Sequence, residues 1–244
     1  MSRPVSVLFR KEAGAALRAP SAWCVLAACV ALVGLLFTLA LRDAAGTAAS
    51  LPALFCEGLA LAAPLPASFF TMGLFARERN NGSLETLLTA PVTDGEVVLG
   101  KFLAAYALTL FALAICLIDF EVYRRVAAPP PAFAAVPLFA GWGAVAVAAA
   151  LWTSFGTLAS LFVRHESAAG ACTLLFGLAL TVAATTADSV VPSGSFLDVL
   201  SPVAFAEGTA DTRPIFACLS GTAFFLFCAV RLLESRRWSA ASPQ

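Results

Sequence analysis

Residues 77–101 read RERNNGSLETLLTAPVTDGEVVLGK and place seven charged side chains between two long apolar runs. The runs, residues 51–75 before it and 102–118 after it, are each close to the roughly 20 residues that carry a helix across a bilayer. The polar stretch is therefore a loop at one membrane face. Within it Thr93-Asp94-Gly95-Glu96 has the Ser/Thr-x-x-Glu spacing of a capping box, in which two side chains satisfy two backbone donors at a helix start. A helix is expected from Asp94 onward into the membrane, so Thr93, Glu96, Gly100 and Lys101 mark the start of the third span. Upstream, Leu84, Leu87 and Leu88 share one face of a short amphipathic helix, Glu85 and Thr86 point elsewhere, and Pro91 ends it.

Composition bounds the rest. Of 244 residues 60% are hydrophobic and 12% charged, and the mean hydropathy is +0.89, outside the range of soluble globular domains. Net charge is zero, so nothing points to nucleic acid or to acidic substrates. The seven cysteines lie in apolar runs without CxxC spacing and read as small buried hydrophobes rather than as a disulfide frame or metal site.

The expected fold is an all-α polytopic membrane protein forming a single transmembrane domain over residues 1–244. Its six spans lie at about 22–41, 52–75, 99–120, 133–163, 168–187 and 214–233. Residues 5–19 mix Arg10, Lys11, Glu12 and Arg18 with Val7, Leu8 and Leu17, the composition of a helix lying in the headgroup layer. A cleaved signal peptide is not expected, because the apolar stretch that follows is long enough to span. Pro64 and Pro66 should bend or break the second span. Glu57, near the outer end of that span, is read as reaching water, with an intramembrane functional acid as the alternative. Asp119, Glu121, Arg124, Arg125 and Pro129 to Pro131 read as a polar loop after the third span, and residues 188–213 as a second polar segment on that side. Gly141, Gly143 and Gly156 are the small residues that let helices approach closely. His165, the sole histidine, reads as a loop residue.

An N-terminus in the cytoplasm puts eleven of the fifteen Lys and Arg residues inside, and leaves Arg42, Arg124, Arg125 and Arg213 outside. By the positive-inside rule residues 77–101 and both termini are then cytoplasmic.

Glu78, Arg79, Gly82, Ser83, Leu84, Glu85, Leu87, Leu88, Pro91, Val92, Gly100 and Lys101 together resemble the E-R-x-x-G-[TS]-L-E-x-L-L-x-x-P-V…G-K signature of ABC-2 type transporter permeases, most of all the gliding-motility and nitrous-oxide-operon group. The opening Phe9-Arg10-Lys11-Glu12 and the later Leu200-Ser201-Pro202 with Gly208 resemble the same family. The likeness covers nearly the whole chain, although only the central loop is highly specific. Arg164-His165-Glu166 departs from the polar uncharged turn that many members carry after the fourth span. The resemblance implies a permease subunit in a bacterial cytoplasmic membrane, used for export. It implies that Glu78, Arg79, Gly82, Ser83, Leu84, Glu85, Leu87, Leu88 and Pro91 form a coupling helix touching a separate cytoplasmic ATPase. It further implies two ATPase copies, a second identical or homologous permease chain, and ATP with magnesium held by the partner.

The residues argue against other chemistry. Gly95 to Lys101 matches most of a phosphate loop, but Phe102 stands where a magnesium-binding hydroxyl is needed. A single histidine, and lysines only at the cytoplasmic face, give no base for a membrane-embedded nucleophile, and no metalloprotease ligand set is present. A secondary carrier, which would usually show ionisable groups or broken half-helices in mid-membrane, is the alternative, followed by a membrane-embedded enzyme or assembly factor.

Overall fold

The structure, a computed structural model, describes residues 3–44, 50–80, 92–127, 135–163, 165–190 and 213–241. Among them every regular element is a helix: α1 (Arg3–Arg18), α2 (Pro20–Asp43), α3 (Leu51–Ala62), α4 (Pro64–Met72), α5 (Ala76–Asn80), α6 (Asp94–Ile115), α7 (Leu117–Val126), α8 (Ala135–Phe162), α9 (Glu166–Val190) and α10 (Arg213–Ala241). Six stretches are long and apolar enough to cross a membrane: Pro20–Asp43, Leu51–Asn80, Asp94–Val126, Ala135–Phe162, Glu166–Ala184 and Ile215–Ser235. The chain is an all-α polytopic membrane protein.

Local chemistry sets the helix limits. Pro20 and Pro52 occupy first-turn positions of α2 and α3, where a missing N–H costs nothing. The Ser50 hydroxyl accepts from Ala53 N at 3.4 Å. At α6 the capping box forms as the spacing requires: Glu96 N donates to Thr93 Oγ1 (3.4 Å) and Thr93 N to Glu96 Oε2 (3.2 Å). The second span breaks at Ala63, directly before Pro64, and opens again over Gly73 to Phe75 before α5.

The third span differs from expectation. It pauses at Cys116, where Asp119 N turns back to Cys116 O (3.0 Å), and then continues as α7 to Val126. The polar residues after Ile118, read from sequence as a loop, are thus helical up to Arg125. The reason is their spacing: Glu121 pairs with Arg124 at i,i+3 (2.8 Å) and with Arg125 at i,i+4 (2.7 Å), contacts that support a helix wherever it leaves the hydrocarbon.

Burial ranks the spans. The second is 72% buried, whereas the first and sixth are 22% and 17% buried, so α3 and α4 form the centre with α8 and the others surround them. One core cluster joins Phe37, Phe55, Cys56, Phe120 and Trp152. The other, nearer α1, joins Phe70, Phe75, Val98, Leu161 and Leu233. Buried hydroxyls in these walls, among them Thr71, Thr109, Thr153, Thr157 and Thr173, donate to the carbonyl four residues back, so no polar atom of theirs faces hydrocarbon unpaired. Outward sides carry Leu35, Leu39, Phe111, Phe139, Leu175, Phe224 and Phe227.

Of the glycines expected at close crossings, Gly156 sits at one and Gly143 does not. A Cβ on Gly156 would lie 2.8 Å from Thr71 Cβ and 2.9 Å from Thr173 Cγ2, while one on Gly143 would meet nothing within 4 Å. The cysteines also divide. Cys29, Cys56, Cys116 and Cys218 are buried, but Cys24 and Cys172 are exposed on helix surfaces, because an apolar run in a membrane helix has an outward side as well as an inward one. Glu57 is half-buried on α3.

Candidate functional site

Helix α1 lies across the start of α6, and the crossing is close because residue 100 is glycine. A Cβ there would be 3.0 Å from Leu8 Cβ and 3.4 Å from Val5 O. The next residue, Lys101, is consequently sealed between the helices, at 0% exposure. An ammonium has three protons to place, and the fold supplies three acceptors. Nζ donates to Glu12 Oε1 of α1 at 2.8 Å, lies 2.9 Å from Glu78 Oε1 of α5, and donates to Leu74 O at 2.8 Å. The Leu74 carbonyl belongs to the opened turn between α4 and α5. The Phe75 ring centroid is 5.1 Å from Nζ, within cation–π range.

The same end of the second span is tied to the fourth. The Ser160 hydroxyl of α8 accepts from Phe75 N (3.0 Å) and Ala76 N (3.3 Å) and donates to Met72 O (3.2 Å), replacing the backbone partners lost where the helix opens. Arg79 donates to Leu161 O and to Val163 O, so a guanidinium covers the carbonyl end of α8, where a cation is favoured. Arg77 Nη2 meets Glu166 Oε2 at 3.0 Å. With the Arg77 side chain 63% exposed, that pair contributes at most about 1 kcal/mol. Beside these contacts lies a cavity of about 300 Å³, apolar along Ala19, Phe69 and Phe70 and charged along Glu12, Glu78 and Lys101.

Of the residues singled out from sequence, Glu78 and Lys101 meet, Gly100 seats α1 beside them, Arg79 reaches the end of α8, and Thr93 and Glu96 cap α6. Glu78 and Arg79 both make contacts inside the chain, one to Lys101 and one to α8. Gly82, Ser83, Leu84, Glu85, Leu87, Leu88 and Pro91 lie outside the described residues. Val92 packs against the core cluster nearer α1. Sequence reasoning read Lys101 as a face-lying cation at a helix start and left Glu12 in the interfacial helix without a partner. The available signal was that Lys101 lies about two turns inside a capped apolar helix, where an ammonium needs acids to bury it, although nothing local says which acids. Glu166, from the stretch that departs from the family pattern, is also engaged, as the partner of Arg77. Residues 95–101, which mimic a phosphate loop, are continuous helix, and their lysine faces the two acids.

A family model described as ABC-2 family transporter protein matches residues 6–203, from α1 through the central polar stretch and the fifth span. No curated protein matches the chain. With the family model covering most of the sequence, the chain belongs to the ABC-2 family of transporter proteins.

Proposed function

We propose that this permease subunit forms the membrane path of an exporter powered by a separate cytoplasmic ATPase, and that residues 81–91 are where the ATPase pushes. The observation that carries this reading is the anchoring of both arms of that loop: α5 leads into it, α6 leads out, and Lys101 of α6 holds Glu78 of α5. A loop fixed at both feet can pass a displacement into the spans. Two ATPase copies, each holding ATP and magnesium, would serve this chain and a second permease chain. The motif in residues 77–101 favours the gliding-motility and nitrous-oxide-operon group.

The charge distribution supports a cytoplasmic membrane of a bacterium with both termini inside. A reporter fused after Leu88 should read as cytoplasmic, and one after Ser193 as periplasmic. The reverse result for either contradicts the orientation.

Glu85→Arg tests the contact. The sequence spacing sets Glu85 off the face shared by Leu84, Leu87 and Leu88, so reversal should leave membrane abundance unchanged while co-purifying ATPase falls about tenfold or more, the equivalent of about 1.4 kcal/mol at the interface. Asp43→Arg, at an exposed position on the far end of α2, is the control. Asp94 is unsuitable for that purpose because it is buried in the first turn of α6. Full ATPase retention by Glu85→Arg would make residue 85 a solvated loop position.

A further inference from the structure

We propose that Lys101 is a positioning residue that fastens α1 and α5 to α6, so that a displacement of residues 81–91 reaches the N-terminal helix and the third span as one movement. This rests on the reading of that loop as the ATPase contact.

Three observations support it. The acids come from elements separated by most of the N-terminal third of the chain, Glu12 from α1 and Glu78 from α5, and one fully buried ammonium joins them at 2.8 and 2.9 Å. Second, α5 has only five residues; an element so short is placed by its side-chain contacts, and Glu78 makes one to Lys101 of α6. Third, stability is a poor reason for the arrangement, because a buried ion cluster replaced by apolar or neutral groups of similar volume is often as stable or more so. What the charges give that an apolar contact does not is a directional link. Leu8 and Val5 against Gly100 allow α1 to slide along α6, whereas a three-acceptor ammonium fixes its register.

The variant that separates positioning from stability is the neutral, volume-matched triple substitution Glu12→Gln, Glu78→Gln and Lys101→Met. Lys101→Met alone would leave two part-buried carboxylates facing each other without their cation and loosen the region for an unrelated reason. The chain, co-purified with its ATPase and placed in lipid nanodiscs, is followed by hydrogen–deuterium exchange with and without Mg-ADP and vanadate. In the unmodified complex, trapping should change exchange in both residues 81–91 and α1. In the triple variant the loop should still respond, while the response of α1 falls about fivefold or more, the lower end of a typical coupling between sites. The charge-swapped pair Glu78→Lys with Lys101→Glu keeps one cation among two acids and should restore the α1 response.

An undiminished α1 response in the triple variant overturns the proposal. Failure of the triple variant to accumulate does so too, since it would make the cluster a stability element. Absence of any ATPase with the unmodified chain is a different outcome, because it removes the underlying contact reading before the cluster is tested.

Discussion

Gly156→Leu should leave almost no folded chain in the membrane. The position is where α8 crosses α4 and α9, and the first added carbon already falls 2.8 Å from Thr71 Cβ and 2.9 Å from Thr173 Cγ2. Neither neighbour can turn aside. Both are fully buried, and each threonine hydroxyl is held by the carbonyl four residues back in its own helix. Backbones would have to separate, but one turn further on Ser160 ties α8 to Met72, Phe75 and Ala76. Overpacking a tight core costs about 1–3 kcal/mol for a few methylenes, and more where relaxation is blocked, against a total stability of roughly 5–15 kcal/mol. Fluorescence-detected size exclusion of detergent extracts reads the outcome. Gly143→Leu on the same helix should accumulate normally, since a Cβ added there meets no neighbouring element within 4 Å. Equal accumulation of the two variants would mean that the three-helix crossing is not as close as described.

Ser160→Ala is the second large effect. The hydroxyl serves two buried N–H groups and one carbonyl at the opened turn of the second span. Phe75 and Ala76 are at 0% exposure, so water cannot replace it. Leaving a buried donor unsatisfied costs about 1–3 kcal/mol, and two are stranded here. Ser154→Ala is the matched comparison: that hydroxyl only donates to Leu151 O in its own helix, and its removal strands no donor. Thermal unfolding of the purified chain should therefore drop by several degrees for residue 160 and hardly move for residue 154. Similar melting of both variants would show that the turn over residues 73–75 finds other partners.

These two positions mark what the sequence discloses and what it conceals. The six spans were legible because hydropathy is additive along a run, and the sum decides insertion whatever each side chain touches. The start of α6 was legible because a capping box is complete within four residues, and the break at Ala63 because Pro64 enforces it locally. The end of the third span was misjudged for the complementary reason: charged residues suggest a loop, yet Glu121, Arg124 and Arg125 are spaced to support a helix beyond the hydrocarbon. Gly143 and Gly156 are the same residue type in the same helix, and only the crossing partners tell them apart. The meeting of Glu12, Glu78 and Lys101 spans 89 residues of sequence between its ends. No local pattern encodes such a pairing; it follows from how α1 is folded back over α6. The contacts of Ser160 are hidden in the same way, since a serine in an apolar run looks like any small residue until the opened turn is beside it.

Under the proposed function this chain forms the membrane path and leaves nucleotide hydrolysis to a partner. The most direct measurement is ATP hydrolysis by the chain purified from its native membranes, assayed with its co-purifying ATP-binding-cassette chain and again after that chain has been stripped away. The account predicts hydrolysis that follows the partner and falls to the level of a denatured control without it. Sustained hydrolysis by the stripped chain, or purification of the intact chain with no ATP-binding-cassette partner at all, would contradict it.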